Sequence, residues 1–65
     1  MTTYKIVRLF ANSGKRLTLL TGLTLREAQQ YCRDPETLSS TATRPTLVQL
    51  TQEAGPWFDA YYEEG

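Results

Sequence analysis

Residues 3–21 read TYKIVRLFA-NSGK-RLTLLT, and this stretch decides the fold. Residues 3–11 and 16–21 are rich in the β-branched, aromatic and aliphatic residues that favour strands. Residues 12–15 between them are typical of a turn, in which Gly14 can take a positive φ. The stretch therefore predicts a β-hairpin closed by a three-residue loop, with Gly14 in the left-handed position.

In this register the hairpin has two faces, because successive strand residues point to opposite sides. The first face is apolar and is predicted to be the core; it holds Val7, Leu9, Ala11, Leu17 and Leu19. The second face mixes large apolar groups with arginines; it holds Tyr4, Ile6, Arg8, Phe10, Arg16, Thr18 and Leu20. Such a mixture is unusual for a face that only meets water, so the second face is the best candidate for function.

A helix is predicted after the hairpin. Thr24 and Glu27 form a capping box preceded by the apolar Leu23, and the Asp34-Pro35 pair ends the helix near Arg33. Four residues at helical spacing form the predicted buried stripe, namely Leu25, Ala28, Gln29 and Cys32.

The remainder of the chain is less regular. Residues 36–46 are dominated by serine and threonine and read as an exposed loop. Residues 47–53 are ambiguous between a short helix and a short strand, with a lean toward a helix or an irregular segment. Residues 57–62 carry four of the seven aromatics and predict a last strand. The predicted fold is a single α+β domain, β-β-α-β, in which one helix packs on a three-stranded, mainly antiparallel sheet.

Composition limits how this domain can be stabilised. A chain of 65 residues has a thin core, and small scaffolds usually need a disulfide, a metal or a partner. Cys32 is the only cysteine and there is no histidine, so an intrachain disulfide and a zinc site are excluded. Self-association or docking on another protein is the option that remains. The unpaired cysteine and the absence of a signal-peptide pattern predict the cytoplasm.

The charge is distributed unevenly along the chain. The net charge is zero, which disfavours a simple nucleic-acid-binding surface. Residues 1–33 nevertheless carry six cationic side chains against Glu27 alone, and residues 34–65 carry Arg44 against six carboxylates. The simplest interpretation is that the two halves pack together and neutralise each other; a basic binding face with an acidic tail is the alternative.

No residue pattern predicts catalysis. Without histidine, no Ser-His or Cys-His pair can activate a nucleophile, and Cys32 lies on the predicted apolar stripe. Asp34 and Glu36 are read as solvated charges and caps. The acidic groups Asp59, Glu63 and Glu64 are read as a solubilising tail, and no metal or cofactor site is predicted.

The second hairpin face can be used in three ways. Tyrosine, phenylalanine and arginine are favoured at the core of protein interfaces. The same groups can stack unpaired bases and pair with phosphates. Alternatively, residues 47–58 cover this face and make it a second small core. The predicted partner-binding residues are Tyr4, Arg8, Phe10 and Arg16 on the hairpin, with Trp57, Phe58 and Tyr61 nearby.

Residues 22–37, GLTLREAQQYCRDPET, followed by SSTAT at 39–43 and GPWFD at 55–59, resemble a group of very small proteins. These are encoded by phages of actinobacteria and by related prophages, and their function is unknown. The chain departs from the group at residues 45–54, which are less basic, and at residues 60–62. The resemblance implies a small accessory protein in a bacterial host cell, binding a host protein or itself, and transfers no functional residue. The alternative is a small nucleic-acid-binding module that uses the hairpin.

Overall fold

The structure is a computed structural model and describes residues 2–64. Its elements follow the order β1 (Tyr4–Phe10), β2 (Arg16–Leu23), α1 (Leu25–Arg33), a 3-10 turn (Pro35–Thr37), α2 (Pro45–Ala54) and β3 (Trp57–Glu63). The three strands form one antiparallel sheet in the order β2-β1-β3. The α+β class and the three-stranded sheet are confirmed.

The hairpin is confirmed, but its loop is one residue longer than predicted. Phe10 N–H donates to the carbonyl of Lys15 at 3.0 Å, so residues 11–14 form a four-residue loop. Gly14 does have a positive φ of 70°. The extra residue shifts the register by one, so that Leu17 pairs with Arg8, and Arg16 pairs with Leu9. Since a shift of one residue reverses the facing, Leu17 joins the second face, and Arg16 and Thr18 leave it.

Two irregularities then interrupt the β1–β2 pairing, between Tyr4 and Ile6 and between Ile6 and Val7. Each inserts an extra residue into β2, as a β-bulge does. Leu20 consequently pairs with Ile6, so both residues lie on the second face, where the sequence placed them.

Helix α1 begins where the sequence predicts. Glu27 N–H donates to Thr24 Oγ1 at 3.1 Å, and Thr24 N–H donates to Glu27 Oε1 at 2.9 Å, which completes the capping box. The buried stripe is narrower than predicted: Ala28 is fully buried and Cys32 is half-buried, whereas Leu25 and Gln29 are exposed. The helix therefore contacts the sheet mainly through Ala28 and Cys32, one turn apart.

Residues 34–44 are more ordered than the exposed loop that was predicted. Asp34 accepts a hydrogen bond from Glu36 N–H and caps the 3-10 turn, in which Thr37 is buried. Glu36 in turn accepts hydrogen bonds from the backbone N–H groups of Thr43 and Arg44. Two carboxylates therefore order this serine- and threonine-rich segment: Asp34 caps its first turn, and Glu36 binds the backbone at its far end.

The predicted order β-β-α-β omitted a second helix, although a short helix or an irregular segment was favoured for residues 47–53. Pro45 starts α2 at the first helical position, where its missing N–H costs nothing, and Gly55 ends it with a φ of 81°. The ambiguous residues 47–53 therefore belong to a ten-residue helix, and the order is β-β-α-α-β.

The core lies on the second face of the hairpin, so the prediction that placed it on the first face is wrong. Ile6, Arg8, Trp57 and Asp59 are buried together there, and Ala28 of α1 packs above them. Both helices lie on this side, because Trp57 Nε1–H also donates to Thr51 of α2 at 3.0 Å. We call this side the helix-covered face. Among residues 2–64 no helix is long and apolar enough to cross a membrane.

Candidate site on the open face of the sheet

The other side of the sheet has no helix over it within residues 2–64, and we call it the open face. The strand register arranges its side chains in three rows across the strands. The rows, from one end to the other, are Lys5 and Tyr62, then Thr18, Val7 and Ala60, then Arg16, Leu9 and Phe58. Leu38 extends the third row, because it forms an isolated bridge with Phe58.

Large apolar side chains of the open face meet solvent. The exposed fractions are 42% for Phe58, 40% for Tyr62 and 43% for Leu38, whereas Val7 beneath them is only 5% exposed. The middle row is made of smaller residues, so the face has a trough of about 320 Å³ lined by Lys5, Val7, Arg16, Thr18, Tyr62 and Glu63. The trough has the apolar Val7 at its floor and the aromatic Tyr62 on its wall, and the rest of its lining is polar or charged, so it can receive one apolar side chain flanked by polar groups.

The trough is edged by two cations. Lys5 and Arg16 have no salt-bridge or side-chain hydrogen-bond partner within residues 2–64. Among the described residues Glu63, beside Tyr62, is the one carboxylate that lines the trough. The lining therefore carries a net positive charge.

The rest of the chain explains why these cations have no partner. Nearly every carboxylate is already bound inside the chain, six of the seven accepting a hydrogen bond. Glu27, Asp34, Glu36 and Glu64 accept from backbone N–H groups, Asp59 from Arg8, and Glu53 from Gln49. Of the seven cations, Arg8 and Arg44 alone form salt bridges in the described part of the chain. Neutral donors do not cancel a charge, so five cations and five carboxylates of the described residues stay outside salt bridges, but Glu63 alone of those carboxylates lines the trough.

The helix-covered face is occupied by a polar network. Arg8 Nε and a terminal guanidinium nitrogen donate to the two oxygens of Asp59 at 2.7 and 3.0 Å. The guanidinium carbon also lies 4.1 Å from the centre of the Trp57 ring. The Asp59 side chain is fully buried and that of Arg8 nearly so, and among the described residues no buried side-chain N or O lacks a partner. A bidentate pair satisfied in this way is structural.

The structure divides the seven predicted partner-binding residues between the two faces. Arg8 and Trp57 are buried in the core and are not available to a partner in this conformation. Tyr4, Phe10 and Tyr61 lie on the helix-covered face, where Tyr4 and Tyr61 form an edge-to-face pair at 6.1 Å. Arg16 and Phe58 lie on the open face. The helices therefore cover part of the second face, close to the alternative in which residues 47–58 make it a small core, whereas Leu17, Leu20 and Tyr61 on the same side stay exposed.

Sequence reasoning missed Lys5, Thr18, Tyr62 and Leu38 as members of one surface. The alternation of side chains along β3 could have predicted part of this surface, because Phe58 and Tyr62 share a face opposite to Trp57 and Asp59. No local pattern could have predicted the place of Leu38 on this surface, since its position depends on a bridge to the distant Phe58. Asp59 was read as part of a solvated tail, and its burial corrects that reading.

The other chemical groups offer little for catalysis. Burial raises the pKa of the Cys32 thiol, helped by the nearby Asp59 charge, which disfavours the reactive thiolate. Within residues 2–64 no three acidic or thiol side chains come together as a metal site requires. A smaller polar cleft of about 170 Å³ lies between α1 and α2, and the Glu36 and Arg44 side chains that line it are already paired with each other at 3.8 Å.

Comparison with known proteins gives no match: no family model, curated protein or solved structure is similar to this chain.

Proposed function

We propose that this chain is a non-catalytic binding protein that works through a protein–protein interface on the open face of its sheet. The observation that carries the proposal is the exposure of Phe58, Tyr62 and Leu38 over the buried Val7, on a side that no helix covers. Small proteins rarely leave a contiguous aromatic and aliphatic surface in water unless it binds something. A phage-encoded accessory role in the cytoplasm of a host cell, which the sequence resemblance implies, fits this activity and stays a prediction.

Site-specific photo-crosslinking tests this proposal. A photoreactive phenylalanine analogue placed at position 58 or 62 should give discrete protein adducts in host cells. The same analogue at Val48 is the matched control, because Val48 is exposed to a similar degree but lies on α2. Equal labelling from all three positions would contradict an interface on the open face.

A nucleic-acid-binding function is the second candidate, and one observation favours it. Phe58 and Tyr62 are exposed aromatics on the face that holds Lys5 and Arg16, and stacked bases use this combination. The face has only two cations, however, whereas firm nucleic-acid binding uses about six to ten phosphate contacts. Crosslinked adducts that disappear after nuclease treatment would favour this candidate.

A further inference from the structure

The open face is small, and its size limits the occupant. Three strands about 4.8 Å apart and seven or eight residues long at about 3.3 Å per residue have a flat backbone footprint of only about 330–380 Å². A stable complex of two folded proteins buries about 800 Å² on each partner. The face alone therefore fits a peptide segment better than a second globular surface.

The charges on the open face disfavour a second copy of this chain as its partner. Face-to-face pairing of two copies would bring Lys5 and Arg16 of both chains into one interface. Four cations would then share the interface with the two Glu63 carboxylates, and unpaired like charges are costly when water is removed. A partner that supplies carboxylates avoids this cost.

From this combination we infer that the partner of the open face is an acidic amphipathic segment of another protein. This inference rests on the proposed function. One apolar side chain of the segment enters the trough over Val7, between Thr18 and Tyr62. Carboxylates on either side of it pair with Lys5 and Arg16, which form no salt bridge with any carboxylate of residues 2–64. Phe58 and Leu38 extend the apolar contact beyond the trough.

A titration with three matched peptides followed by amide NMR tests the inference. The probe alternates glutamate with leucine and phenylalanine, and the two controls replace every glutamate by glutamine or by lysine. The glutamate peptide should shift the amide signals of Lys5, Thr18 and Tyr62. The glutamine peptide should bind the same residues about three- to tenfold more weakly, as expected for two exposed ion pairs, and the lysine peptide should not bind.

Variants of the chain localise the charge effect. Replacing both Lys5 and Arg16 by glutamine should abolish the preference for the glutamate peptide over the glutamine peptide. Replacing Arg26 and Arg33 by glutamine is the control, because it removes the same charge from the exposed face of α1. Glu63→Gln should strengthen binding of the glutamate peptide, since Glu63 is the carboxylate that lines the trough.

The outcomes separate the inference from the function on which it rests. Equal affinity for the glutamate and glutamine peptides, or no shift of open-face signals by any peptide, overturns the acidic partner. The proposed function still stands in that case if positions 58 and 62 give nuclease-resistant protein adducts. A stronger response of the same amides to an oligothymidylate overturns the inference in favour of nucleic acid. Loss of position-specific adducts overturns the proposed function itself.

Discussion

At the scale of single residues, the buried Arg8–Asp59 pair decides which side of the sheet is the core. An arginine in the middle of a strand looks like a surface residue, and sequence reasoning placed it at a partner interface. It is buried because Asp59 lies directly opposite it on β3 and binds it through two hydrogen bonds. The Trp57 ring next to it covers the guanidinium face.

Removing the Asp59 carboxylate should therefore be severe. Asp59→Ala leaves the Arg8 charge buried without a partner, at a cost of about 3–5 kcal/mol. A domain of 65 residues has a total stability of about 3–10 kcal/mol, so this variant should be close to unfolded. Urea unfolding followed by circular dichroism measures the loss. Arg44→Ala is the control, because its pair with Glu36 is exposed and should contribute about 1 kcal/mol or less. Equal losses for the two variants would mean that the buried pair is not structural.

Glu36 should make stability depend on pH. The backbone N–H of Thr43 is the main cause of the lowered pKa of Glu36, and the N–H of Arg44 adds to it. A lowered pKa in the folded state means that the ionised carboxylate stabilises the fold above its ordinary value of 4.5, and that this contribution is lost as the pH falls through the folded-state pKa. The difference in unfolding free energy between the natural chain and Glu36→Gln should be largest near neutral pH and shrink in acid. Curves that stay parallel down to the acid limit would contradict this role.

At the scale of elements, features that depend on neighbouring residues could be predicted from the sequence. The face of the sheet to which each residue of β2 points could not. The capping box, the Asp34-Pro35 stop and the aromatic last strand could all be predicted, because each depends on neighbouring residues. The hairpin was predicted too, but a loop of four residues instead of three moved Arg16 and Leu17 to the opposite faces. Helix α2 was only partly anticipated, at residues 47–53; its start at Pro45 was missed because the serine- and threonine-rich segment before it is ordered by Glu36, a contact that no local pattern reveals.

The junction between α2 and β3 gives a prediction at this scale. Gly55 has a positive φ, and a Cβ at this position would overlap the side-chain amide of Asn12 in the hairpin loop. Gly14 also has a positive φ, but nothing lies within 4 Å of a Cβ there. Gly14→Ala should therefore cost a backbone strain of about 1–2 kcal/mol, and Gly55→Ala should cost more, mainly because its φ of 81° and ψ of −167° lie in a region that is essentially restricted to glycine. Thermal unfolding compares the two variants.

A second substitution distinguishes backbone strain at position 55 from overlap of the new Cβ with the Asn12 side chain. Adding Asn12→Ala to Gly55→Ala removes the overlapping amide and should recover only the small part of the cost that the overlap contributes, because the exposed Asn12 side chain can also move aside. If the double variant is no more stable than Gly55→Ala after correction for Asn12→Ala alone, the contact with the hairpin loop does not matter.

At the scale of the whole molecule, the chain is a two-layer slab whose second sheet face has no layer over it. The Cα extents are 39 × 22 × 14 Å, and the radius of gyration is 12.1 Å. A compact chain of this length should have a radius of gyration of about 10.7 Å. Among residues 2–64 the buried apolar residues are Ile6, Val7, Ala28 and Trp57, which is a thin core. Flatness and a thin core both follow from the missing third layer, and the proposed partner segment would supply it.

This two-sided architecture makes neighbouring residues of β3 respond in opposite ways. Trp57 is 1% exposed and belongs to the core, so Trp57→Ala should lose about 3–5 kcal/mol of stability. Phe58 faces the open side, so Phe58→Ala should cost about 1 kcal/mol or less. Phe58→Ala should instead weaken binding to the open face, measured with the crosslinked partner or the acidic peptide. Any folded variant that retains the core, such as Trp57→Phe, should bind normally. If Phe58→Ala destabilises the chain as much as Trp57→Ala does, the open face is part of the core, and both the proposed interface and its acidic partner fail together.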